Sequence, residues 1–94
     1  MITAVVLITA EKGAVPSLGE GLAAVKGVSE VYSVTGDVDF IAMVRAREHD
    51  ELADIVTRWI AQVPGVAKTA THVAFKAYSR HDLEAMFAIG ADRP

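Results

Sequence analysis

The 94-residue chain contains no cysteine, which removes disulfides, thiolate nucleophiles and cysteine metal sites from its chemistry. Basic residues are scarce too: nine Lys and Arg against twelve Asp and Glu leave a formal net charge of -3, and no basic stripe is available to neutralise phosphates. Direct DNA binding is therefore not expected. Long apolar runs are also missing. The stretch from Ile2 to Ala10 is far shorter than a membrane span, carries Thr3 and Thr9, and has no positively charged lead-in, so neither a signal peptide nor a membrane helix is expected. A cytoplasmic protein with no membrane partner is the reading that fits these absences.

The pattern of chemistry-bearing side chains is thin as well. His49, His72 and His81 stand at no ligand spacing such as H-x-x-x-H, and none has a cysteine or paired-carboxylate motif around it. His72, set on an expected strand beside Thr71 and Val73, is the one of the three placed to titrate in a partly buried setting. Ser17, Ser29, Ser33 and Ser79 lack the context of a nucleophile elbow, and Gly19-Glu20-Gly21 is not followed by the pattern of a phosphate loop. No metal, cofactor or catalytic activity is expected.

What the chain does have is apolar content: 52% hydrophobic residues and a mean hydropathy of +0.34. That is too apolar for disorder and high for a small monomer whose surface is its own. At this length the chain is a single domain near the lower limit for burying a core unaided, so association with copies of itself is expected.

Ile2–Ala10 is apolar at both alternating sets of positions, which predicts a strand buried on both faces. After Glu11-Lys12-Gly13, Pro16 sits where a first helical residue is tolerated, and Leu18, Leu22 and Val25 follow at helical spacing until Gly27 closes the segment. Gly19 and Gly21 weaken this helix. The runs VSEVYSVT and FIAMVRAR flank Gly36-Asp37-Val38-Asp39 and predict a hairpin. Acidic residues at 50 and 51 open a second helix whose stripe is Leu52, Ile55, Val56, Trp59, Ile60 and Val63, ended by Pro64-Gly65. Trp59 is expected as a core or interface anchor. Arg45, Arg47 and Arg58 are expected as solvated or rim charges. A last strand is predicted over VAKTATHVAFKAYS from Val66. Ser79 and Asp82 then suggest a cap for a short tail helix within residues 79–94, carrying Leu83, Met86 and Phe87. Met86, Phe87 and Ile89 would pack on a neighbouring protomer.

The order β-α-β-β-α-β, with Val25-Lys26-Gly27-Val28 echoed by Val63-Pro64-Gly65-Val66, predicts an α+β, ferredoxin-like βαββαβ fold. In it, two helices cover one face of a four-stranded antiparallel sheet. The other face would carry Ile41 and Met43 beside the doubly apolar first strand, so a second sheet is expected to cover it, as in a dimeric α+β barrel.

These residues also resemble a known family. Gly27-Val28 followed by Val34-Thr35-Gly36 and Asp39, and Pro64-Gly65-Val66 followed by Thr69 and Thr71, are similar to the two marker stretches of the effector-binding (RAM) half of Lrp/AsnC transcription regulators. The likeness spans nearly the whole chain. Regulators of that family carry a helix-turn-helix before the sensor, whereas here Met1 leads straight into the first strand; the resemblance thus implies a stand-alone sensor. It further implies dimers joined through their sheets, assembly of dimers into an octamer or similar ring, and an amino acid or related small molecule bound between dimers. A full-length regulator of the family is a possible further partner under the same analogy.

The candidate ligand-binding residues are Val34, Thr35, Gly36, Asp37, Asp39, Thr69 and Thr71. A glycine turn exposes amides, and a carboxylate takes an ammonium, which together suit an α-amino acid. Asp-rich turns are equally ordinary turn chemistry, and threonine is a good strand residue. Asp39, next to apolar Phe40, is expected as the ligand contact and Asp37 as solvated. Thr69 and Thr71, by the resemblance, would border the cleft, with Val34 and Thr35 in its wall. The same barrel architecture also hosts small monooxygenases and isomerases, so fold alone leaves an enzyme as the alternative. A subunit that only mixes with family regulators and takes no ligand is a third reading.

Overall fold

Val, Ile and Thr fill both alternating sets of Ile2–Ala10 and make it a strand, β1, that is apolar on both sides. Ala4, Val6 and Ile8 are fully buried, while Val5 and Leu7 on the opposite face are only half-buried. In this computed structural model, residues 1–78 and 80 are described. β1 is followed by α1 (Val15–Ala23), β2 (Val28–Ser33), β3 (Phe40–Ala46), α2 (His49–Asp54), a π-helical continuation of α2 (Ile55–Ile60), and β4 (Val66–Val73). The sheet is antiparallel in the order β2-β3-β1-β4. This is the expected ferredoxin-like architecture. Leu18 and Leu22 of α1, Leu52 of α2, and Ile55 and Ile60 beyond it form one core with Val6, Ile8, Phe40, Ala42 and Val44, all on the same sheet face.

The two halves repeat one another in backbone detail. Val25 N–H donates to Leu22 O and Val28 N–H to Val25 O; Val63 N–H donates to Ile60 O and Val66 N–H to Val63 O. Gly27 and Gly65 both hold positive φ, +95° and +100°, the left-handed region that only glycine enters cheaply. Their carbonyls accept equivalent hydrogen bonds, Arg45 N–H to Gly27 O at 2.9 Å and Glu11 N–H to Gly65 O at 2.7 Å. A Cβ on Gly65 would lie 2.8 Å from that of Ala14, and one on Gly27 would collide with the buried Ile55 side chain. The sequence echo V-x-G-V is therefore a structural requirement in both halves.

The structure departs from the sequence reading at α1, at β4 and at Trp59, among other places. α1 ends at Ala23 rather than running to Gly27, which sits in the turn after it. β4 stops at Val73 although the alternating pattern continues to residue 78. Its partner β1 runs out there: Val73 pairs with Ala4, and Ala74 N–H makes a last bond to Thr3 O. Trp59 is not in the protomer core. Ala61 N–H reaches back five residues to Val56 O, widening the helix by a residue, and this turn buries Ile60 completely while leaving Trp59 40% exposed. The tail residues Ser79, Asp82, Leu83, Met86, Phe87 and Ile89, with His81, lie outside the described residues.

The sheet face away from the helices is apolar in the middle and charged at its edges. Register aligns Tyr32, Ile41, Leu7 and Ala70 in one row across it, and Glu30, Met43, Val5 and His72 in the next. Tyr32 donates its hydroxyl to Glu30, and that bond, with the charge of the same carboxylate, raises the phenol above its usual range. Among the described residues no helix is long and apolar enough to cross a membrane.

Candidate functional site

The hairpin turn predicted over Gly36–Asp39 is a six-residue loop, 34–39, joining β2 to β3. Two groups fasten it. Val34 N–H donates to Asp39 O at 3.0 Å, closing the loop on itself, and Asp39 N–H donates to Ile8 O at 2.9 Å. The Asp39 carboxylate does more than the sequence indicated: its Oδ2 accepts Ala10 N–H at 2.7 Å in a partly buried setting. The β1–β3 ladder ends with the pair Ile8 and Phe40, and the Asp39 carboxylate supplies an acceptor to Ala10 just beyond it. Asp39 thus ties the loop to the end of β1, with its second oxygen outside this bond.

Within the loop, Thr35, Gly36 and Asp37 are exposed, and Val34 is half-buried against the fold. Gly36 adopts φ +111° with nothing within 4 Å of where a Cβ would stand, so its surroundings are open on the solvent side. Near the loop lies a cleft of about 450 Å³ between α1 and β2, whose walls include Ser33 and Phe40, the residues flanking the loop. That cleft escaped the sequence reading. Its signal was Gly19, which had read only as a weak point in the helix. A Cβ there would meet Phe40 Cε1 at 3.3 Å, so the missing side chain lets α1 approach the sheet beside the loop.

The threonines stand apart from this loop on the same protomer. Thr69 pairs with Ile8, which pairs with Phe40, so Thr69 lies two strand spacings, about 10 Å, from the loop exit. Thr71, one pair further along, borders a different, mostly apolar hollow of about 270 Å³ with His49, Leu52, Ala53, Val56 and Thr57 of the second helix. By the repeat that matches Gly27 with Gly65, Thr69 and Thr71 correspond to Val31 and Ser33, so the two hollows are equivalent places in the two halves. Among the described residues no group of three or more His, Asp or Glu is placed to hold a metal ion.

The crystal structure of TTHA0845 from Thermus thermophilus superposes with a TM-score of 0.79 at 49% identity, over 85% of this chain and 100% of that one. A feast or famine regulatory protein from M. tuberculosis, solved in complex with L-methionine, superposes with a TM-score of 0.68 at 25% identity over 85% of this chain and 54% of that one. The HTH-type transcriptional regulator FL11 of Pyrococcus horikoshii is 29% identical over 75 residues, 80% of this chain and 49% of the relative. An uncharacterised HTH-type transcriptional regulator of Pyrococcus furiosus is 36% identical over 58 residues, 62% of this chain and 39% of the relative. The chain thus spans half or less of the length of these Pyrococcus regulators. A model of the Lrp/AsnC ligand-binding domain matches residues 3–83, and the chain belongs to that family.

Proposed function

We propose that the protein is an effector-sensing module. It binds an amino acid or related metabolite at the 34–39 loop, where two sheet-paired dimers meet, and binding shifts its assembly or its affinity for a transcription-regulator partner. The observation that carries this reading is the loop itself: Thr35, Gly36 and Asp37 are turned out to solvent on a frame held by Asp39. Exposed amides suit a carboxylate, and the free oxygen of Asp39 with the exposed Asp37 suits an ammonium. The separation of Thr69 and Thr71 from the loop supports a site shared between protomers, because an amino acid's two charged ends are only a few bonds apart. Those hydroxyls can join a loop-bound ligand only from another chain. The L-methionine complex of the M. tuberculosis relative favours the same ligand class. The related regulators of Pyrococcus are transcription factors, which weighs against the enzyme alternative.

Thermal denaturation in the presence of individual amino acids at millimolar concentration, paired with light scattering, tests this. At least one amino acid should raise the melting temperature, by the equivalent of about 2.7 kcal/mol at a hundred times its Kd, and should change the scattering mass. Its deaminated and decarboxylated analogues should do neither. If no amino acid stabilises the protein, the sensing role is wrong.

Asp39 has two separable jobs in this reading. Asp39→Ala leaves Ala10 N–H without its acceptor and should lower stability by about 1–3 kcal/mol. Asp39→Asn keeps an acceptor oxygen but loses the charge, so it should melt near the wild type yet bind the effector weaker by about 1.5–3 kcal/mol. Asp37→Ala should do less to binding than Asp39→Asn. Isothermal titration with the amino acid found above decides, and equal affinity in wild type and Asp39→Asn would remove Asp39 from the ligand contacts.

A further inference from the structure

Basic side chains collect at the end of the sheet away from the 34–39 loop. Thr3 pairs with Arg45, so these two side chains stand opposite each other on the face away from the helices, about 5 Å apart at Cβ. On the other side of Thr3, Ala74 N–H donates to Thr3 O at 2.9 Å, which lays the chain beyond β4 beside the start of β1 and brings Lys76 to the same end. Thr3, Met43, Arg45, Ala74, Lys76 and Ala77 line a hollow of about 380 Å³ there, a size within the range of small-molecule sites. Arg45 follows Phe40 by five residues on β3, about 17 Å in an extended strand. The hollow is therefore separate from the effector loop.

Its charges are unmatched. Among the described residues neither Arg45 nor Lys76 forms an ion pair with an acid, although acids outnumber bases in the chain by twelve to nine. The Lys76 ammonium instead stands 5.0 Å from the centroid of the Tyr78 ring, a contact that positions the cation without neutralising it. Two neighbouring cations set the class of anion. A carboxylate carries one charge and leaves one cation over, whereas a phosphate monoester carries about -1.5 to -2 at neutral pH. Its oxygens can accept from the planar Arg45 fork and from the Lys76 ammonium together, with the Thr3 hydroxyl as a further donor. The rest of the wall, Met43, Ala74 and Ala77, is apolar and suits a compact apolar body on the phosphate. Two cations are too few to follow a nucleic-acid backbone.

We infer that this hollow is a second small-molecule site, which holds the phosphate of a small, largely apolar phosphate monoester between Arg45 and Lys76. The site is independent of the effector loop. The pair Thr3 and Arg45 stands one row beyond Glu30, Met43, Val5 and His72, at the end of the apolar rows of the open face.

Isothermal titration of the full chain in low-salt buffer with phenyl phosphate, inorganic phosphate and benzoate tests this. Phenyl phosphate should bind, inorganic phosphate more weakly for want of the apolar contact, and benzoate weakest for want of the second charge. Raised salt should weaken all three. Arg45 and Lys76 are exposed, so Arg45→Gln and Lys76→Gln should leave the melting curve unchanged, yet each should weaken phenyl phosphate about tenfold. In NMR spectra the amides of Thr3, Arg45 and Lys76 should shift on addition of phenyl phosphate, and those of Gly36 and Asp39 should not. Absence of phenyl phosphate binding, affinity unchanged in both variants, or shifts centred on the 34–39 loop would each overturn the site. Benzoate binding as tightly as phenyl phosphate overturns the choice of phosphate, and inorganic phosphate doing so overturns the apolar body.

Discussion

Gly65→Ala should lower the stability of the protein by about 2–6 kcal/mol. Two costs combine. The backbone at Gly65 holds φ +100°, which costs a residue with a side chain about 1–3 kcal/mol. The new methyl would also stand 2.8 Å from the Cβ of Ala14 and 3.7 Å from Leu18 Cδ1. Ala14 Cβ is fixed to the backbone at the start of α1 and has no rotamer by which to withdraw, so overpacking adds about 1–3 kcal/mol. For a domain of this size the melting temperature should fall by at least ~8 °C. Gly13→Ala is the matched control: its φ is +81° but nothing lies within 4 Å of the added methyl, so it should show the backbone cost alone. Equal losses in the two variants, measured by thermal and urea denaturation, would show that the contact with Ala14 contributes nothing.

Ile60→Ala should cost about 2–5 kcal/mol, the range for removing a buried aliphatic side chain, whereas Trp59→Ala, despite deleting a far larger group, should cost less than Ile60→Ala in the protomer, since Trp59 is 40% exposed. The order is the reverse of what an unbroken α-helix would give. With 3.6 residues per turn, Leu52, Ile55 or Val56, Trp59 and Val63 would share the inner face. The five-residue hydrogen bond from Ala61 to Val56 shifts the register, and Ile60 becomes fully buried against the sheet. Chemical denaturation measured where the protein is least associated separates this protomer effect from any role of Trp59 between copies. A larger loss for Trp59→Ala than for Ile60→Ala under those conditions would contradict the widened turn.

The element order was readable because each element carries its own local marker: β-branched residues in β1, Pro16 at the start of α1, Pro64-Gly65 after the second helix. The apolar faces of β1 and β3 were readable too, since alternation alone places Val6 and Ala42 on one side and Leu7 and Ile41 on the other. The widened turn was not, because the apolar positions from Leu52 to Val63 satisfy an ordinary helix and a π turn equally well. The end of β4 depended on where another strand began, and Ala74 to Tyr78 alternate as a strand would. The candidate site divides in the same way. Gly36 and the acids around it announce a turn through local chemistry, but the bond from Ala10 to Asp39 spans 29 residues, and no pattern near either residue encodes it. Likewise the distance of Thr69 and Thr71 from the loop follows from the order of strands in the sheet, which nothing local reveals. The spacing of the two threonines puts them on one face of β4, as the register has it, but is silent about what that face lies against.

The interleaving of the two repeats has a consequence for how the chain reaches its fold. β1 and β2 belong to one repeat and β3 and β4 to the other, yet among the described residues β1 bonds only to β3 and β4, and β2 only to β3. A nascent chain that has emerged from the ribosome as far as the 34–39 loop therefore holds two strands with no partner for either. The first sheet contact must wait for β3, which pairs with both at once, so folding should begin late in synthesis and proceed cooperatively through long sequence separations. Until then the most apolar strand of the protein is without a neighbour, and during that interval it is open to pairing with another chain.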